Sequence, residues 1–400
     1  MKIAHISLYP PKGELHCNKS GVAPYTKNLA INISYEKEDK IYIIGDIDTE
    51  KEIYSEDNIE VRKVFSKGNF FYKNILKEID KIKPDVVHIQ QELALYGGIL
   101  SAITLRFLLK GLQKRNIKVV TTFHGIVDVV SIDEEFMKEN FSSLPIFMVK
   151  FAFRFIFNPL IKYSDEIIVH EELFKKRILE QYTKKSPENI HVVHHGIEDF
   201  SKNKITKQEA REIQKISQEK KVLLFMGYIT GYKGIDLLVE GVEKYKEKYG
   251  DDFVLYILGA HHPKLKDDEG YKKEYYRLKE KAEKLLGKNV DWQEGFVDDK
   301  KMAQYYPLSD VVLFPYTRSI SSSGPMALAI GYEVPFLASE VFSESIDNSD
   351  LLFKKKPYNM AEKLNYFFEN QEKYRGIISK MRKERLWIEI GKETYNIYKR

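Results

Sequence analysis

Short, continuously apolar runs alternate with amphipathic stretches along most of this chain. Ile3–Leu8, Lys40–Ile44, Glu60–Phe65, Pro84–Ile89, Lys118–Thr122, Ile167–His170 and Ile190–His194 read as strands. Such runs, bounded by turn residues, mark strands covered on both faces of a sheet. Helical spacing of apolar residues predicts helices over Gly21–Ser34, Tyr72–Lys81, Ile99–Lys114, Ser143–Tyr163 and Glu172–Tyr182. The pattern then repeats. Val222–Met226, Phe253–Leu258, Asn289–Gln293, Val311–Phe314, Val334–Ala338 and Leu351–Phe353 are the second set of strands. Helices follow from Ile235, over Lys272–Leu286, over Lys300–Tyr306 with Pro307 as its cap, up to Gly331, and from Asn359 onward. This alternation predicts an α/β fold with parallel sheets. Asp199–Glu219 is polar and helical with few apolar anchors, and reads as the linker between two α/β halves.

Four hundred residues leave room for two or three domains. A net charge of +5 is mild at this size and gives no sign of a nucleic-acid partner. Cys17 is the only cysteine, which excludes an intramolecular disulfide and a cysteine-based metal site and fits a reducing, cytoplasmic setting. No apolar window is long enough to span a bilayer, and the first residues lack the apolar core of a signal peptide.

Chemistry gathers where strands end. In Lys221–Ser339, the first strand ends at Gly227, and its loop reaches Lys233-Gly234 before a helix starts. A later strand ends at Pro315, and Ser321-Ser322-Ser323-Gly324-Pro325 leads into another helix. Loops at the carboxyl ends of parallel strands are where such sheets bind ligands, and glycine-rich turns at helix N-termini favour anions. With Lys233 as a cation, this predicts a phosphate or diphosphate site. The turn at Gly21 is a weaker version of the same signal. His124 lies between a buried strand and Gly125, in the expected crevice, and Glu92 ends the strand before it. His261-His262 has no further ligand at helical spacing and reads as surface loop.

Ser143–Tyr163 is unusual. Lys150, Arg154, Asn158 and Lys162 form one polar stripe. The other faces carry Ile146, Phe147, Met148, Phe151, Phe153, Phe155, Ile156 and Phe157, more apolar surface than one buried stripe needs. A helix lying on a membrane surface has this composition, and so does one packed against a sheet and kinked near Pro159. Both readings stay open.

Taken together, these residues resemble the retaining glycosyltransferases of glycosyltransferase family 4, over nearly the whole chain. The resemblance rests on Gly21-Val-Ala-Pro-Tyr-Thr-Lys-Asn-Leu-Ala, Val87–Glu92 with Tyr96-Gly97-Gly98, Thr122–Gly125 and Val193–Ile197, where His195 replaces the usual Asn. It continues through Phe225–Tyr228, Tyr232–Leu238, Gly295-Phe296, Asp310, Pro315-Tyr316, Ser323-Gly324, Gly331 and Pro335. It implies the GT-B fold: two Rossmann-like domains facing a central cleft. Residues 1–200 would bind the acceptor, 201–380 the nucleotide sugar, and 381–400 would form a final helix crossing back to the first domain.

The same resemblance implies transfer of a hexose from a UDP- or GDP-linked donor to a glycan or lipid-linked acceptor, with retention and without a metal or other cofactor. His124 and Lys233 would be catalytic. Gly21, Gly227, Tyr228, Phe296, Arg318, Ser322, Ser323 and Gly324 would bind the donor with Lys233; Glu92, Lys150 and Arg154 would bind the acceptor. Domain closure near Asp199 would exclude water. A helix 143–163 lying on the inner membrane face would make a lipid-linked acceptor the natural one. Two departures weaken the donor assignment: Tyr228 stands where many members carry Arg, and Arg318 and Met326 stand where many carry paired glutamates. A sugar-nucleotide 2-epimerase of the same fold and a non-catalytic scaffold are the competing classes.

Overall fold

The computed structural model describes residues 1–14, 21–33, 39–47, 51–56, 58–93, 95–139, 144–200, 205–262, 265–295, 297–318 and 323–400. They form two compact units, Met1–Gly196 with Trp387–Arg400, and Ile197–Leu386.

The first unit contains strands β1 (Lys2–Ile6), β2 (Lys40–Asp46), β3 (Glu52–Glu56), β4 (Ile59–Phe65), β5 (Val86–Gln91), β6 (Lys118–Phe123), β7 (Glu166–Val169) and β8 (Ile190–Val192). Its helices are α1 (Val22–Asn32), α2 (Phe71–Ile82), α3 (Ile99–Gln113), α4 (Glu134–Glu139), α5 (Ile146–Tyr163) and α6 (Glu172–Gln181), with a C-terminal helix over Trp387–Lys399. The sheet order is β3-β4-β2-β1-β5-β6-β7-β8. Every pairing is parallel except β3 with β4. Strand order reverses between β1 and β5, and the carboxyl ends beside such a reversal are where sheets of this kind bind ligands.

Hydrophobic burial explains the elements. All six residues of β5 are buried, as expected of a central parallel strand. In α2, Phe71, Ile75, Ile79 and Ile82 recur on one face and are buried against the sheet. The sequence reading missed β3 and α4 because neither carries such a signal. In β3 only Tyr54 is buried, as befits an antiparallel edge, and α4 is a short helix of mostly charged residues.

The second unit contains β9 (Lys221–Tyr228), β10 (Phe253–Ala260), β11 (Val290–Glu294), β12 (Val311–Phe314), β13 (Phe336–Ser339) and β14 (Leu352–Phe353). Its helices are α7 (Lys207–Ile213), α8 (Ile235–Tyr249), α9 (Glu269–Leu286), α10 (Asp299–Leu308), α11 (Gly324–Gly331), α12 (Pro357–Glu369) and α13 (Gln371–Arg385). The sheet is wholly parallel in the order β11-β10-β9-β12-β13-β14, and its reversal lies between β9 and β12. Pro307 lies inside α10, buried, rather than capping it. The polar run read as a linker holds α7, whose Ala210 and Arg211 are buried.

Candidate functional site

In the second unit the turns after β9 and β12 flank the strand-order reversal and are locked together. Thr317 N–H donates to Tyr232 C=O at 2.8 Å. Gly234 has φ +69° and lies so close to Pro315 that a Cβ would sit 1.9 Å from the Pro315 carbonyl oxygen. Only glycine fits that contact and that backbone angle. Gly227, with φ +143°, faces Pro325 at the start of α11.

These contacts bring Lys233 inside. Its side chain is 8% exposed, and its ammonium donates to the Tyr316 hydroxyl. It also lies over the Tyr316 ring, 3.9 Å from the centroid. Tyr316 Oη in turn is 3.1 Å from Ser323 Oγ, at the N-terminus of α11. Among the described residues no carboxylate pairs with Lys233. A buried ammonium without a counter-charge is costly, and desolvation lowers its pKa to about 8. Linked through Tyr316 to a helix N-terminus, such a cation has the chemistry to hold an anion.

The other residues predicted for the donor fall as follows. Tyr228 ends β9, half-buried, with its ring edge-on to His262 at 5.5 Å. Arg318 is exposed on the turn after β12, and Gly324 is exposed at the first position of α11. Met326, where a ribose-binding glutamate is usual, is buried against the sheet. Phe296 and Ser322 lie outside the described residues. Sequence reasoning missed Tyr316 as a functional residue. Its only local signal is a hydroxyl-bearing ring directly after the proline that ends β12.

In the first unit, His124 follows β6 within a group of rings. It lies 4.7 Å from Tyr25 and 5.1 Å from His170, centroid to centroid. Tyr25 also touches His195 and Trp387, each at 5.1 Å. His170 Nδ1 donates to the Val193 carbonyl at 2.9 Å, so in the neutral ring Nε2 accepts, 3.3 Å from His124 Nδ1. His124 Nε2 lies 2.9 Å from the side-chain amide of Gln90. The Gln90 atom is Oε1, an acceptor, so both nitrogens of His124 face acceptors and the one N–H of the neutral ring serves only one of them at a time. Burial, followed by the charges of His170, His195 and His88, holds its pKa well below the ordinary value. Gly21 precedes α1 with open space above it. Glu92, just past β5, is solvent-accessible at its edge yet partly desolvated, which raises its carboxyl pKa. Lys150 and Arg154 lie on α5, donating to the carbonyls of Val130 and Gln181 at 3.2 Å each; no described hydrogen bond joins them to His124 or Glu92.

His5 and His88, paired in register on β1 and β5, extend the neutral imidazole group inward. Burial pushes His5 and His170 down to about 3. Their folded pKa values lie below the unfolded value, so the unfolded chain takes up protons first as pH falls. Stability is full above about pH 6.5 and declines toward pH 3, by about 1.4 kcal/mol per pH unit for each histidine. Urea unfolding at pH 7.5 and pH 5 should show a lower midpoint at pH 5. An unchanged midpoint would contradict this account.

Residues 47–199 match the family described as Glycosyltransferase Family 4, and residues 206–384 match Glycosyl transferases group 1. Among solved structures, sucrose-phosphate synthase from Thermosynechococcus elongatus aligns at TM-score 0.66 and 16% identity, covering 100% of this chain and 98% of that one. The chain has the GT-B fold. A glycosyltransferase from Rickettsia africae shares this GT-B fold at TM-score 0.66 and 17% identity, over 100% and 97% of the two chains. HepE from Anabaena, in complex with UDP, shares it at 0.64 and 12%, over 99% of each. No curated protein sequence matches the chain. Both parts of the GT-B chain thus carry glycosyltransferase signatures.

Proposed function

We propose that the protein is a retaining hexosyltransferase of glycosyltransferase family 4, with its donor diphosphate held in the second unit. The observation that carries this is Lys233, a buried ammonium with no carboxylate partner among the described residues, beside the N-terminus of α11. Gly227, Tyr228, Lys233, Ser323 and Gly324 surround the diphosphate, with Phe296, Arg318 and Ser322 completing the donor contacts. In the reaction the bond from the anomeric carbon to the β-phosphate oxygen breaks, and a bond to the acceptor oxygen forms. The acceptor hydroxyl's proton passes to the departing diphosphate oxygen, on which negative charge grows as the bond breaks. Lys233 and the helix N-terminus neutralise that charge. His124 works as a neutral hydrogen-bonding group near the sugar, exchanging its Gln90 contact for substrate. Of the first unit's residues, Gly21 serves the donor, and Glu92, Lys150 and Arg154 take the glycan or lipid-linked acceptor.

The neighbour structures solved with UDP, and with UDP-2-fluoro glucose in a protein from E. coli, support a uridine nucleotide as the first donor to try. The reaction as proposed uses no metal. A thermal-shift series with UDP, GDP, ADP and their hexose conjugates, with and without EDTA, tests both points. Ligand that binds only the folded state raises Tm by mass action, by about 2.7 kcal/mol of added stability at a hundredfold excess over Kd. A shift from one nucleotide family that survives EDTA is the expected result. No shift from any nucleotide would sink the donor site and favour the scaffold reading.

A further inference from the structure

The first ten residues of α5, Ile146–Phe155, include no buried side chain; the buried residues of this helix are Ile156, Phe157, Leu160 and Ile161. Phe147 and Phe151 are 72% and 68% exposed, and Met148 and Phe155 are exposed beside them. Spaced at three and four residues, they make one continuous apolar stripe. The Phe151 and Phe155 rings stack at 6.0 Å. The stripe continues onto α3 through Arg106, whose guanidinium lies 4.9 Å from the Phe155 centroid and 5.0 Å from that of exposed Phe107. Large exposed aromatic patches of this kind mark binding surfaces.

Basic side chains border the stripe, while the acidic helix α4 packs on the other side of α5, Phe136 meeting Phe153 at 6.4 Å. Lys150 and Arg154 follow one edge, anchored by the carbonyls of Val130 and Gln181. Lys162 and Lys110 lie against the Tyr163 ring at 5.7 Å each. Among the described residues none of these cations, nor Arg106, is paired with a carboxylate. No described helix is long and apolar enough to cross a membrane. A partner that accepts both a broad apolar stripe and an uncompensated basic rim is a surface with anionic headgroups above acyl chains.

We propose that this face of α5 and α3 docks on an anionic lipid surface, with Phe147, Met148, Phe151 and Phe155 inserted among the acyl chains and Lys150, Arg154 and Lys162 at the headgroups. The polar stripe that stands out in the sequence is thus the rim of the contact, and the phenylalanines are its centre. This goes beyond the donor-site assignment: nucleotide binding without lipid stands or falls separately.

The test is co-sedimentation of the full chain with vesicles of phosphatidylcholine alone and of phosphatidylcholine mixed with phosphatidylglycerol. The chain should partition onto the mixed vesicles, and the combined variant Phe147→Ser, Phe151→Ser, Phe155→Ser should lose at least about tenfold in partitioning. These side chains are exposed, so Tm in buffer should hold. As a second measurement that leaves the apolar face intact, Phe151→Trp should show fluorescence quenching by brominated lipid in the vesicles beyond that of the unsubstituted chain. Absence of the chain from both vesicle pellets overturns the proposal. So does binding by the triple variant equal to that of the unsubstituted chain, or a Phe151→Trp variant quenched no more than that chain. A dimer in solution that the triple variant turns into monomers, without vesicle binding, would assign the face to a second copy instead and overturn it too.

Discussion

Lys233→Ala is expected to reduce transfer by about a hundred- to a thousandfold, the usual cost of removing one group that meets charge developing in a transition state. Because the diphosphate needs the ammonium in its charged form, the loss should appear in nucleotide affinity as well as in turnover. The wild-type pH dependence has a defined sign. The folded pKa of Lys233 lies near 8, below the ordinary lysine value. Below pH 8 the site carries its cation; above it, the ammonium deprotonates and affinity for UDP should fall, by up to about tenfold per pH unit. Lys233→Arg keeps a charge at all these pH values. Calorimetric titration of UDP from about pH 7 to about pH 9.5 reads this directly. An affinity flat across that range in the wild type would show that Lys233 does not meet the phosphates.

Asp310→Ala is expected to be the most damaging single change to the stability of the second unit. Asp310 accepts from Arg211 at 2.9 Å and from the Val222 backbone N–H at 2.7 Å, and pairs with Lys207. Arg211 is 1% exposed and also donates to the Leu308 carbonyl at 3.1 Å. Removing the carboxylate leaves a guanidinium buried without its counter-charge and the start of β9 without an acceptor. A broken buried pair of this kind costs about 3–5 kcal/mol. Urea unfolding followed by tryptophan fluorescence should show that loss. The double variant Arg211→Met with Asp310→Ala should recover a good part of it, since no lone charge is left behind. A loss below about 1 kcal/mol would place the pair with ordinary surface bridges.

The aspartate is instructive because it was visible in the sequence only as part of a family pattern, with no role attached. Features carried by neighbouring residues were legible. Buried parallel strands announce themselves by continuous apolar runs, and Gly227, Lys233 and Gly234 sit at the end of one such run. Features made by distant residues were not. Tyr316 reaches Lys233 across 83 positions, and nothing near either residue signals the contact. Arg211 lies in a run whose polarity suggested a solvated linker, yet one arginine on a short helix can be its buried anchor when a carboxylate waits beneath it. His124 could be placed beside the crevice from its position after β6. Its neighbours Gln90, on β5, and His170, just past β7, are distant in sequence, so its buried, neutral state followed only from the fold. For α5 the sequence left burial and exposure open, because composition fixes what a helix carries and tertiary packing fixes which side is covered.

The two units are not two consecutive segments. The chain leaves the first unit at Gly196 and re-enters it at Trp387. The C-terminal helix then supplies Trp387, Ile390, Tyr395, Ile397 and Tyr398 to the core beneath β1 and β2. Its fit leaves no slack: a Cβ on Gly391 would sit 2.0 Å from the Asn32 carbonyl oxygen, and one on Gly196 would sit 2.3 Å from the Trp387 ring. On a translating ribosome the first unit is therefore the first to emerge and the last to be completed. Until Trp387–Lys399 has been made, its sheet waits with one face partly uncovered while the second unit, contiguous in the chain, already has all of its own core.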